Sequence, residues 1–156
     1  MFKTILWATD GSDIAAHALP FALGLAEADK AKLVIAHARE VSVGHGGAYP
    51  VFADENELRE KIVHQVEELQ SSGVDATYVV RTCTASHAGR TIAEIAEEVH
   101  ADLIVVGTHG YGRVANLLLG STTRSLLHAG VCPVLAVPTG DPVDVPEREL
   151  TTSGTQ

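Results

Sequence analysis

The segment from residue 103 to residue 130 constrains the fold more than any other part of the chain. Residues 103–106 (Leu-Ile-Val-Val) form a short apolar run, typical of a buried strand, which ends at Gly107. Further along, Gly120 and the hydroxyl residues 121–123 have the composition of a helix start. Backbone N–H groups and the positive end of the helix dipole would then point to one place. This arrangement predicts an anion site, and we expect the anion to be a nucleotide phosphate.

The same glycines have a structural interpretation. A loop between a strand and a helix needs glycine for positive φ or tight packing whether or not a ligand binds there. The residue types alone leave both interpretations open. The Gly120-Ser121 pair at a fixed distance after Gly107 and Gly110, together with a similar first strand, favours the anion site.

Strand-like and helix-like segments alternate along the chain, which predicts a doubly wound, five-stranded parallel sheet with helices on both faces. The predicted strands are 4–8, 33–37, 76–82, 103–107 and 133–137, and the predicted helices are 14–29, 54–70, 86–100 and one that begins after Gly120. Pro20 predicts a kink in the first helix or a start nearer His17. Ser12 or Asp13 is expected to cap the first helix and Asp54 the second. Residues 39–53 predict an irregular loop, and 139–156 an acidic, flexible tail beyond a single domain at 1–138.

Composition excludes several classes of function. The net charge is -9 with 11 basic residues, and a nucleic-acid partner would require a clustered basic surface. Two cysteines are too few for a disulfide scaffold. No run of 18 apolar residues and no signal-peptide core are visible, so we expect a cytoplasmic protein with no membrane partner.

Asp10 follows the first strand and is the main candidate for a polar contact beside the anion site. If strands one and four are neighbours, Asp10 and Gly107 emerge about 5 Å apart. A carboxylate there would suit a ribose hydroxyl or a Mg²⁺ ion that carries the phosphates. Alternatively, it accepts local N–H groups at the helix start. No G-x-x-x-x-G-K-[ST] motif is present, and Lys61 is the last lysine, so a P-loop is excluded.

These motifs together resemble the universal stress protein family over residues 2–138. The matching features are Gly107-x-x-Gly110, nine residues and Gly120-Ser121; Thr9-Asp10 after the first strand; and Cys132-Pro133-Val134 before the last. The resemblance implies strand order 3-2-1-4-5, a fold like that of the adenine nucleotide alpha hydrolases, an ATP-binding subclass, and a homodimer formed through the last strand, residues 132–138.

The resemblance also implies a set of nucleotide-binding residues. It places the phosphates on the backbone of Gly107, Gly110, Gly120, Ser121 and Thr122, with hydroxyls from Ser121 and Thr123. It places the base near the backbone of Ala8, Thr9 and Ala38, and the ribose or Mg²⁺ at Asp10. Val106, at the end of the fourth predicted strand, is also among the expected nucleotide-binding residues. Arg113 would reach a terminal phosphate or remain a solvated surface arginine.

We therefore expect an ATP-binding, nucleotide-dependent stress-response regulator with slow or no hydrolysis, because no lysine or second carboxylate stands near the phosphates. Two alternatives remain open at this stage. One is a nucleotide-free dimeric interaction protein whose glycines only make turns. The other is a protein that binds cyclic AMP in the same pocket.

Overall fold

The computed structural model describes residues 1–51, 54–108 and 119–138, which form one sheet of six strands with helices on both faces. The strands are β1 (Thr4–Ala8), β2 (Lys32–Gly44), β3 (Gly47–Pro50), β4 (Ala76–Thr84), β5 (Leu103–Gly107) and β6 (Val134–Val137). The helices are α1 (Asp13–Ala16), α2 (Leu19–Asp29), α3 (Glu55–Ser71), α4 (Ala88–Glu98) and α5 (Ser121–Ala129). The predicted tail, 139–156, lies outside the described residues.

The five predicted strands are present, and their order in the sheet confirms the expectation. It runs β4-β2-β1-β5-β6 with every one of these neighbouring pairs parallel. In the centre, Ile5 of β1 pairs with Leu33 on one side and Leu103 on the other. The order reverses direction at β1, which places the carboxyl ends of β1 and β5 at the switch point of a doubly wound sheet.

A sixth strand replaces most of the irregular loop that the sequence predicted for residues 39–53. Instead, β2 continues to Gly44 and turns into β3, an antiparallel partner that pairs Val41 with Pro50. Gly47, at φ +125°, supplies the backbone conformation that the turn requires. The prediction was wrong because the glycines of a short hairpin turn were read as loop composition. Residues 52–53 lie outside the described residues.

The first helix divides at the point that the proline indicated. Helix α1 ends at Ala16, and α2 begins at Leu19 with Pro20 in its first turn, where the missing N–H costs nothing. Ser12 caps α1, because its Oγ accepts a hydrogen bond of 3.0 Å from the Ala15 N–H. Asp54 precedes α3 as expected, but its side chain makes no capping hydrogen bond, so that part of the expectation was wrong.

Two apolar layers bury the two faces of the sheet. Alternate residues of the strands, such as Ile5 and Ile35, pack against α2 and α3, while their neighbours, such as Leu6 and Ile104, pack against α4 and α5. Both faces are therefore occupied by helices. The carboxyl edge of the parallel strands remains as the place where polar side chains and backbone groups can meet a ligand.

Candidate functional site at the carboxyl edge of the sheet

The crevice at this edge is bounded by the ends of β1 and β5 and by β2, which continues beyond them. Ala8 pairs with Ala36 on one side and with Val106 on the other, so the ends of β1 and β5 lie side by side next to β2. Neighbouring strands lie about 4.8 Å apart. The structure thus brings together the β1–α1 loop and the end of β5, as the sequence predicted for neighbouring first and fourth strands, and it adds the continuation of β2, which the sequence did not predict.

The β1–α1 loop is held by hydrogen bonds from its own residues. The Thr9 N–H donates to the Ala36 carbonyl at 3.0 Å, and the Gly11 N–H donates to Thr9 Oγ1 at 3.0 Å. Asp10 Oδ1 accepts from the Ser12 N–H at 3.0 Å and from Ser12 Oγ at 2.6 Å. Asp10 therefore has the local helix-start role that the sequence left open, while it also lies at the crevice.

Strands β1 and β3 pair with the same edge of β2, one after the other along its length. The backbone of Ala38 faces the gap between them. Ala36 accepts from Thr9, just after β1 ends, and Glu40 accepts from Val51, just after β3, at 2.9 Å. Successive residues of a strand direct their backbone groups to alternate edges. The N–H and C=O of Ala38, between these two, consequently point to the gap where β1 has ended and β3 has not begun.

The first turn of α5 forms the other wall of the crevice. The Gly120 N–H donates to the Thr108 carbonyl at 2.7 Å, and the Thr108 N–H donates to Val137 at 2.9 Å, which fixes the helix start against β5 and β6. The Ser121 side chain is exposed, whereas Thr123 is buried and donates its hydroxyl to the Gly107 carbonyl at 2.9 Å. The N–H groups of residues 121–123 have no acceptor within the helix.

These contacts divide the predicted phosphate ligands into two groups. The Gly120 N–H and the Thr123 hydroxyl already donate hydrogen bonds to backbone carbonyls of the protein. The Ser121 hydroxyl and the N–H groups of Ser121 and Thr122 lie at the helix start, at its positive end. Gly110 and Arg113 belong to the predicted site as well, but they lie outside the described residues.

Gly89 of α4 determines how closely α5 approaches. A Cβ atom on Gly89 would overlap Ser125 Cβ and would come within 2.9 Å of the Thr122 carbonyl oxygen. The first turn of α5 is therefore seated directly on the α4 backbone. Sequence reasoning did not single out this glycine, since only the packing of two helices distinguishes it.

A buried His37–Glu55 pair lies behind the β1–α1 loop, and the sequence analysis did not identify it. His37 Nδ1 lies 3.0 Å from the Thr9 carbonyl oxygen, and Nε2 lies 3.2 Å from Glu55 Oε2. The signal available in the sequence was a histidine inside the apolar run of β2, because a buried imidazole needs hydrogen-bond partners. Its partner stands 18 residues away and could not be assigned from spacing.

A groove of about 570 Å³ opens between α1 and α3, on the far side of the same loop. Its lining includes Trp7, Thr9, Gly11 and Leu58. Gly11 has φ +79°, and a Cβ there would overlap the Leu58 side chain. The loop that carries Asp10 thus has the crevice on one side and this groove on the other.

Among the residues that the structure describes, no group of three or more histidine, cysteine, aspartate or glutamate side chains is arranged to hold a metal ion. No helix in the same ranges is long and apolar enough to cross a membrane.

Known proteins share the sequence features of this chain. The sequence profile of the universal stress protein family matches residues 1–138. The chain belongs to the universal stress protein family. A universal stress protein of Thermus aquaticus is 38% identical over 140 residues, covering 88% of this chain and 99% of the relative. YxiE of Bacillus subtilis is 33% identical over 150 residues, with coverage of 88% and 99%.

Solved structures of the family share the fold. UspA from Lactobacillus plantarum superposes with a TM-score of 0.67 at 21% identity, covering 86% of this chain and 97% of the other. A universal stress protein crystallised in complex with cAMP superposes with a TM-score of 0.62 at 29% identity, with coverage of 89% and 98%. A third, from Archaeoglobus fulgidus in complex with dAMP, has a TM-score of 0.63 at 22% identity, with coverage of 88% and 98%.

Proposed function

We propose that this universal stress protein binds an adenine nucleotide in the crevice at the carboxyl edge of the sheet. The observation that carries the proposal is the position of the α5 start. Hydrogen bonds of Gly120 and Thr123 hold it beside the end of β5, with the Ser121 side chain exposed and the first-turn N–H groups without an acceptor in the helix. The family member that holds cAMP, at 29% identity, supports an adenine nucleotide as ligand. The relative in complex with dAMP is only 22% identical, so it supports the fold and not the choice of ligand.

The contacts follow from which groups the protein leaves for a ligand. The N–H groups of Ser121 and Thr122, with the Ser121 hydroxyl, bind phosphate, joined by Gly110 and Arg113 from the preceding loop. The backbone of Ala38 reads the edge of the base, because its groups face the gap between β1 and β3. Ala8 and Val106 line the floor beneath the base, where both are buried.

The nucleotide in this proposal is ATP, with Mg²⁺ held by Asp10 and the phosphates. One carboxylate plus phosphate oxygens is a usual Mg²⁺ environment, and Asp10 is half-buried with Oδ1 oriented by Ser12. Hydrolysis is slow or absent, because the chain's last lysine is Lys61, on the exposed surface of α3. Rapid metal-dependent turnover that is abolished in Asp10→Asn would contradict this part of the proposal.

The physiological role that we propose is nucleotide-dependent regulation in the stress response, by a cytoplasmic homodimer joined through β6. As placed, β6 pairs with β5 on one edge, and among the described residues its other edge has no strand partner. An edge strand with an apolar sequence is a natural place for a second copy. We also propose that residues 1–138 form the nucleotide-binding domain and that 139–156 form a separate acidic tail.

Isothermal titration calorimetry of protein stripped of nucleotide, with ATP and Mg²⁺, AMP and cAMP in turn, tests the proposal. We expect ATP to bind with a Kd of about 1 µM or tighter, equivalent to about -8 kcal/mol, and Gly120→Val to abolish binding. Stronger binding of cAMP than of ATP would favour the cyclic nucleotide. No heat with any nucleotide, together with an intact dimer, would favour the nucleotide-free interaction protein.

A further inference from the structure

The buried pair of His37 and Glu55 has no part in the ligand contacts described above. Both side chains are almost fully inaccessible, with 4% and 6% exposed. Glu55 Oε1 is also buried and has no hydrogen-bond partner among the described residues. Burying polar groups in this way costs free energy unless their hydrogen bonds compensate. The hydrogen bonds of the pair must offset this cost, so they indicate the role that the pair has in the structure.

The position of the hydrogens follows from the partners. The Thr9 carbonyl oxygen can only accept, so His37 Nδ1 carries a hydrogen and donates it. A single further hydrogen then joins Nε2 to Glu55 Oε2, bound to either atom. In both cases Glu55 holds the imidazole so that Nδ1 points at Thr9. Histidine ligands of metals are oriented in the same way by a carboxylate on the second ring nitrogen.

Thr9 is thereby fixed through both of its backbone groups. Its N–H donates to Ala36, and its C=O accepts from His37. The second of these groups belongs to the planar peptide that joins Thr9 to Asp10. Thr9 itself is buried, and the groove between α1 and α3 borders the loop at Thr9 and Gly11. The His37 hydrogen bond holds the carbonyl side of this peptide, while the Ser12 N–H and hydroxyl hold the Asp10 carboxylate.

We infer that His37 is a positioning residue for the nucleotide site, and that Glu55, the first residue of α3, orients it. By fixing the Thr9–Asp10 peptide, His37 places the Asp10 carboxylate in the crevice without touching the ligand. This inference rests on the proposed function, since it assigns to His37 a share of the affinity for the nucleotide bound there.

Two amide substitutions separate the contacts of the imidazole. In His37→Asn the side-chain amide nitrogen takes the place of Nδ1 and keeps the donor to Thr9, but it loses Glu55. In His37→Gln the amide reaches the position of Nε2 and keeps Glu55, but it loses Thr9. We expect Mg-ATP affinity within about threefold of wild type for His37→Asn, and a loss of about tenfold for His37→Gln. Equal affinities in the two variants would overturn the inference.

A second variant and a second readout keep the test independent of folding and of the ligand. Glu55→Gln preserves a hydrogen bond to either state of Nε2, and we expect its affinity to be within about threefold of wild type. In nucleotide-free protein, the amide NMR shifts of Asp10 and Gly11 should change more in His37→Gln than in His37→Asn. The reverse order would overturn the inference. Failure of wild type to bind any adenine nucleotide would instead refute the proposed function.

Discussion

Thr123→Val tests whether the hydroxyl of Thr123, the third residue of α5, holds the helix start to the sheet. Valine has nearly the shape of threonine, so the substitution removes the hydrogen bond to Gly107 while it leaves no cavity. Thr123 is 1% exposed, and Gly107 is buried at the end of β5. The carbonyl oxygen of Gly107 would thus lose its 2.9 Å donor in a place that water does not reach.

The size of the expected destabilisation follows from the burial of this hydrogen bond. A hydrogen bond contributes about 0.5–1.5 kcal/mol net, and a buried group that loses its partner costs about 1–3 kcal/mol. We therefore expect the free energy of unfolding to fall by about 1–3 kcal/mol. Urea unfolding followed by circular dichroism should show a lower midpoint at an unchanged m-value.

Thr77→Val provides the matched control for this experiment. Thr77 is half-buried on β4, and its hydroxyl has no hydrogen bond to the described residues. The control should unfold within about 0.5 kcal/mol of wild type. If Thr123→Val is as stable as this control, the hydroxyl does not hold α5 to β5, and the reasoning is refuted.

Two other predictions concern α4 and the start of β1. Gly89→Ala should lower the free energy of unfolding in urea by about 1–3 kcal/mol, because the new Cβ would overlap Ser125 and the Thr122 carbonyl. The control Gly24→Ala, in α2 with open space around it, should not destabilise the protein. Equal effects of the two substitutions would contradict the close packing of α4 against α5. Hydrogen bonds from the N–H groups of Thr4 and Lys3 lower the pKa of Asp102 below its ordinary 3.8. The stability that the ionised Asp102 carboxylate contributes to the folded state is therefore complete above pH 3.8, and it is lost as the pH falls through the lowered pKa. The stability advantage of wild type over Asp102→Asn should shrink in acid urea titrations, and a pH-independent difference would contradict this assignment.

The parallel strands could be predicted one by one because each has a local signal in the sequence, whereas their order in the sheet was implied by the resemblance to the universal stress protein family. Residues 103–107 are apolar, β-branched and ended by glycine, and they form β5 without a change of bounds. The hairpin of β2 and β3 could not be predicted in the same way. Its strand residues are exposed and mixed in character, and the pairing of Val41 with both Thr84 and Pro50 depends on two other segments.

The site shows the same limit at the level of single side chains. Ser121 and Thr123 look equivalent in the sequence, since both are hydroxyl residues at a helix start. Two positions along a helix differ by about 200° in direction, so one hydroxyl is exposed and the other is buried against Gly107. His37 likewise depends on a partner in α3 that comes close only when the chain has folded.

The most direct test of the nucleotide site is a calorimetric comparison of Ser121→Glu with Ser121→Gln, using Mg-ATP and adenosine as ligands. The two side chains have the same size, and a glutamate at a helix N-terminus does not oppose folding. If the α5 start binds phosphate, Ser121→Glu should bind Mg-ATP about tenfold or more weakly than Ser121→Gln, which corresponds to about 1.4 kcal/mol. Both should bind adenosine alike. Equal affinity of the two variants for Mg-ATP would contradict a phosphate site at the start of α5.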